Sequence, residues 1–77
     1  MKIYIFNCVN DQMVQGYTDE ISGSKLPINE GCSQWKFLTP SPIDPEKSRN
    51  PKHWIVANDI TNNGYYIGNV IEIVGLF

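Results

Sequence analysis

Histidine occurs once and cysteine twice in this 77-residue chain, and lysine and arginine together number six. A metal centre draws three or four ligands from His, Cys, Asp and Glu at suitable spacings. Cys8, Cys32 and His53 are each isolated in the sequence, so no metal and no cofactor are expected. Six basic against eight acidic residues leave a net charge of −2, which disfavours binding to a phosphate backbone, because that relies on clustered cations. Lys2, Lys25 and Lys36 are scattered, and only Lys47, Arg49 and Lys52 lie close together. No run approaches the roughly 20 apolar residues of a membrane helix. Ile3-Tyr4-Ile5-Phe6 is too short for the core of a secretory signal, which takes about 7–15. A cytoplasmic location without a membrane partner is therefore expected. A second glycine at phosphate-loop spacing is also missing, since Gly23 stands alone among Ser22, Ser24 and Lys25.

What is present suits a small folded domain. Hydrophobic residues make up 42% and charged residues 18%, against the low hydrophobicity and high net charge of disordered chains. The length allows one domain, 1–77, which buries only about 60% of the surface its unfolded form exposes. A single core of this size supplies roughly 3–5 kcal/mol. In a reducing cytosol Cys8 and Cys32 are expected as two separate buried thiols. The alternative, one disulfide, would add about 3.5 kcal/mol by loop entropy.

Residues 2–9 read as a strand with apolar residues on both faces, hence central or sandwiched. Asn10-Asp11-Gln12 is a turn signal, and residues 13–18 return as a second strand, with Gly16 as its weak point. Residues 19–31 form a loop in which Leu26 and Ile28 are expected to tuck under the sheet. Residues 35–39 make a third short strand, with Trp35 and Phe37 on one face. Pro40, Pro42 and Pro45 give the segment 40–50 the character of an exposed loop. Asn50 then caps a helix that starts on Pro51, runs to about residue 62 and ends on Gly64 in the left-handed conformation. Trp54, Val56, Ala57 and Ile60 form its apolar stripe. The rival reading makes 53–57 a strand and Asn63-Gly64 a hairpin turn. Residues 65–74 are strongly β, with a break at Gly68-Asn69. The order β-β-β-α-β, one helix on a small, mostly antiparallel sheet, defines an α+β fold.

The stretch Gly16-Tyr17-Thr18-Asp19-Glu20-Ile21-Ser22-Gly23-Ser24-Lys25-Leu26-Pro27 resembles a pattern in small uncharacterised bacterial proteins. Their pattern is G-[FY]-T, an acid, a Gly, then N-L-P and G-P-W, closing on a helix and a G-Y-Y strand, here Gly64-Tyr65-Tyr66. Lys25 stands in the Asn position, and Gly31-Cys32-Ser33-Gln34-Trp35 replaces G-P-W with two residues more. The resemblance implies the same order of elements and no particular activity.

Nucleophilic catalysis needs a nucleophile, a base and an orienting group. Cys32 with His53 and either Asp44 or Asp59 could supply them only if the fold gathers them, and nothing in their spacing requires it. Asp19-Glu20 are neighbours that point apart on an extended chain. The expectation is a non-catalytic module that binds another protein or itself, in the manner of a toxin antagonist or a phage or bacterial inhibitor. Its contact residues would be Trp35, His53, Trp54, Tyr66, Ile71 and Ile73. The apolar terminal segment containing Ile71 and Ile73 would act as an edge strand open to pairing, and so to a homodimer. The alternatives are a thiol-dependent enzyme or regulator built on Cys32 and His53, and a weak binder of single-stranded nucleic acid using Lys47, Arg49, Lys52 and nearby aromatic rings.

Overall fold

A computed structural model describes residues 1–29, 31–47 and 49–69. Four strands and one helix follow the expected order: β1 (Lys2–Cys8), β2 (Val14–Thr18), β3 (Trp35–Pro42), α1 (Pro51–Asn63) and β4 (Tyr65–Asn69). The strands form one antiparallel sheet in the spatial order β3-β1-β2-β4. β1 and β2 are thus the interior strands, as the two-sided apolar pattern of β1 requires. The fold is α+β.

Strand alternation divides the side chains between two faces. On one, Ile3 and Ile5 of β1 and Tyr17 of β2 meet Val56 and Ile60 of α1, with Ile43 closing the same cluster. Tyr66, paired with Tyr17 across β2 and β4, extends it, the two rings lying 5.7 Å apart. On the other face, Phe6, Cys8 and Gly16 are buried with no helix above them. Their cover is the long connection 19–34, which has to cross β1 to carry the chain from β2 to β3. Each face of the sheet is therefore closed by a different link between strands.

Steric fit shows how closely that loop lies. A Cβ at Gly16 would stand 2.7 Å from Leu26 Cδ2 and 3.1 Å from Trp35 Cζ3, and a Cβ at Gly23 would stand 2.9 Å from the Phe6 ring. Leu26 is the loop's buried anchor. Ile28, expected beside it, is instead 75% exposed. The Trp35 indole N–H donates to Pro27 O at 2.8 Å, which fixes Pro27 against the sheet while Ile28 stays outside.

The two cysteines differ from expectation. Cys8 and Cys32 are joined by a disulfide, with Cα atoms 5.7 Å apart. The reason is topological: β1 ends at Cys8, the loop returns to that end of the sheet, and Val9 N–H donates to Gln34 O at 2.9 Å. Sequence spacing alone conceals this approach.

β3 runs three residues beyond its expected end at Thr39. Pro40 and Pro42 lie inside it, opposite Tyr4 and Lys2. They fit because β3 is an edge strand. Ile43 N–H donates inward to Met1 O at 2.7 Å, so by alternation the nitrogens of residues 40 and 42 point outward, where no donor is required. The register with β1 shifts between Ile5 and Phe6, a β-bulge that leaves Leu38 without an opposite residue. The segment expected as an exposed loop thus begins only after Pro42, and Ile43 within it is buried.

The helix ends match the local signals. Asn50 has extended backbone and its Oδ1 accepts from Lys52 N–H at 3.0 Å, Pro51 opens the helix, and Gly64 at φ 90° closes it with its N–H on Ile60 O at 2.8 Å. Thr18, fully buried on β2, donates its hydroxyl to Gly64 O at 2.8 Å and ties that end to the sheet. Trp54, assigned to the apolar stripe, is 56% exposed. It sits two residues before Val56, about 200° round the helix, on the opposite face. Of the strand expected over 65–74, the part beyond Asn69 lies outside the described residues.

Candidate functional site

A cleft of about 220 Å³ opens on the loop-covered face, beside the disulfide. Its apolar walls are Val14 of β2, Ile67 of β4, Pro27 from the middle of the covering loop and Trp35, the first residue of β3. Asp11, Asn29, Gly31 and Cys32 complete it. Each wall is held by a separate device. Val14 and Ile67 belong to adjacent paired strands. Trp35 is locked by its bond to Pro27 O. Cys32 is bonded to Cys8.

Several polar groups of the cleft are engaged internally. Asn29 Oδ1 accepts from Gly31 N–H at 2.8 Å and from Cys32 N–H at 3.1 Å, and Asn29 N–H donates to Cys32 O at 2.9 Å. Asp11 Oδ1 accepts from Met13 N–H at 3.0 Å, closing the β1–β2 turn. Nearby, Asn10 Oδ1 accepts from Ser33 N–H at 3.1 Å. These bonds shape the rim. What they leave facing the opening is mainly hydrocarbon and the indole. Ile28 and Met13, which neighbour the lining residues in sequence, are exposed, and Ile67 itself is 38% exposed. This is apolar surface that a small domain does not bury by itself.

The expected contact residues do not come together. Trp35 belongs to the cleft. Tyr66 lies on the helix side of the sheet against Tyr17, and His53 and Trp54 are in the first turns of α1. Ile71 and Ile73 lie outside the described residues. The Cys32–His53 pair is not assembled either: Cys32 is on the loop-covered face, its sulfur bonded to Cys8, whereas His53 is on the helix across the sheet. Lys47 and Arg49 are exposed ahead of α1, and Lys52 is half-buried in its first turn. Among the described residues, no three metal-ligating side chains cluster, and no helix is long and apolar enough to cross a membrane.

Reading the sequence missed Val14, Pro27, Asn29 and Ile67 as parts of one site. The available signal was indirect: Leu26-Pro27 marked an anchored loop, and pairing Cys8 with Cys32 would have brought that loop to the β1–β2 turn. Comparison with family models, with curated proteins and with solved structures finds no match.

Proposed function

We propose that this chain is a non-catalytic protein-binding module that receives one bulky apolar side chain of a partner protein in the cleft beside the disulfide. The observation that carries this reading is an apolar-walled cleft in which Asp11 Oδ1, Asn29 Oδ1 and the Trp35 indole N–H are already hydrogen-bonded within the chain. Such a site discriminates by shape and hydrocarbon contact. Its volume of about 220 Å³ falls below the roughly 300–1,000 Å³ of pockets that enclose small-molecule ligands. It suits a single anchor residue of the kind that dominates protein interfaces, surrounded by near-neutral contacts that exclude water. Exposed Met13 and Ile28, each next in sequence to a lining residue, would supply that surrounding ring. An inhibitor or toxin antagonist acts through contacts of this kind.

The disulfide supports a working place in an oxidising compartment over the reducing cytosol, because opening it would free the loop that forms half of the cleft.

The test is selection of binding peptides from a random library on the oxidised protein. The expected result is a set of binders sharing one large apolar residue. Replacing that residue by Ala, or introducing Ile67→Glu in the protein, should weaken binding tenfold or more, the loss of one anchor contact of about 1.4 kcal/mol. Absence of enrichment, or binders indifferent to Ile67→Glu, overturns the reading. Sedimentation of the protein alone distinguishes a second copy as occupant, because self-association would rise with concentration.

A further inference from the structure

We propose that Asn63–Gly64 is a conditional modification site, at which the side-chain amide of Asn63 is converted to a carboxylate only while the last turn of α1 is open. Asn63–Gly64 is the single Asn-Gly pair in the sequence. Glycine places no side chain beside its own nitrogen, which makes this nitrogen the least hindered backbone nucleophile available to a preceding asparagine.

The chemistry needs only water. Base in the solvent removes the Gly64 amide proton, and the nitrogen attacks Asn63 Cγ. The new N–Cγ bond forms, the Cγ–Nδ2 bond breaks, and Nδ2 takes a proton from water and leaves as ammonia. The resulting cyclic imide adds one water at either carbonyl. One direction yields an aspartyl residue and the other an isoaspartyl residue, with the main chain rerouted through the β-carbon. No electron transfer is involved.

In the closed helix end each requirement is blocked. The Gly64 nitrogen donates its proton to Ile60 O at 2.8 Å, so it is neither free to lose it nor aimed at the side chain of Asn63. The following carbonyl is held as well, accepting from the buried Thr18 hydroxyl at 2.8 Å. Asn63 is the last helical residue, and helical backbone keeps the next nitrogen away from its Cγ. Asn63 is also exposed, so water reaches the imide once it forms. The site is accessible but geometrically shut, and its rate then follows the population of the opened turn.

The product reinforces its own cause. A carboxylate at the C-terminal end of a helix opposes the negative pole of the helix dipole; α1 has no basic residue in its own last turn, and Lys25, whose stem packs on Gly64, already pairs its ammonium with Asp19. Modification therefore leaves an irreversible record that the helix end has opened.

The experiment incubates the full oxidised chain at mildly alkaline pH, native, in a series of sub-denaturing urea concentrations, and fully unfolded in urea. Peptide mapping separates unmodified, aspartyl and isoaspartyl forms at position 63. The native chain should react at least tenfold more slowly than the unfolded one, the factor that an opening free energy of about 1.4 kcal/mol gives. Across the urea series the rate should rise in proportion to hydrogen exchange at the Gly64 amide. Thr18→Val, which removes the clamp on Gly64, should raise the native rate, and Asn63→Gln should yield no product at that position. Equal rates in native and unfolded chains overturn the proposal, as does a rate that stays flat while Gly64 exchange accelerates. The urea series on the unaltered chain decides the matter even if Thr18→Val does not fold.

Discussion

Gly23 unites two constraints at one residue: its φ is 72°, and its Cα hydrogen occupies the place where a Cβ would meet the Phe6 ring at 2.9 Å. Gly23→Ala should destabilise the protein by about 1–3 kcal/mol, the range for forcing an added methyl into packed surroundings, and urea denaturation followed by tryptophan fluorescence measures it. Leu26 presses on the same face and is buried, so Leu26→Ala should cost about 2–5 kcal/mol through lost transfer energy and the cavity it leaves, read from the same transition. Much at this scale was legible in advance. Apolar residues on both faces of 2–9 marked β1 as an interior strand, and Leu26 was expected as a loop anchor. Ile28 and Trp54 were misassigned because hydrophobicity alone does not say whether a side chain faces the core. A proline carbonyl bound to Trp35 settled the first, and helical phase settled the second.

At the scale of elements, α1 was legible because both its ends carry local chemistry that needs no tertiary information. Asn50→Ala should cost about 1 kcal/mol by leaving the Lys52 N–H without its acceptor, measurable as a lowered urea midpoint and faster amide exchange in the first turn. At the other end, Asn63→Asp should lower stability by about 0.3–1 kcal/mol through the dipole, with the loss reduced by added salt. β3 was legible only in part. Its prolines read as breakers until the strand is known to be an edge, and edge position is a property of the sheet order that no local window contains. For the same reason the bulge between Ile5 and Phe6 left no trace in the pattern.

For the whole molecule, element order and fold class followed from the sequence, whereas the cleft did not. Its walls come from β2, β4, the start of β3 and the middle of the 19–34 connection, and their meeting depends on that connection crossing β1. The disulfide fastens this crossing. Its contribution, about 3.5 kcal/mol by loop entropy, is comparable to the roughly 3–5 kcal/mol that a core of this size supplies. Replacing both cysteines with serine should therefore remove about 2–5 kcal/mol, seen as a lower melting temperature than that of the oxidised parent, and the double variant should be insensitive to reductant. Separate buried thiols were expected because the sequence spacing of Cys8 and Cys32 carries no trace of the crossing that brings them together.

The outer border of β3 has a consequence for crowding. The bulge at Leu38 and the two prolines with their nitrogens turned outward interrupt the row of donors that a foreign strand would need for continuous pairing, and Lys36 adds a charge to the same strand. Molecules packed side by side therefore find no continuous ladder to extend past Thr39 on this margin.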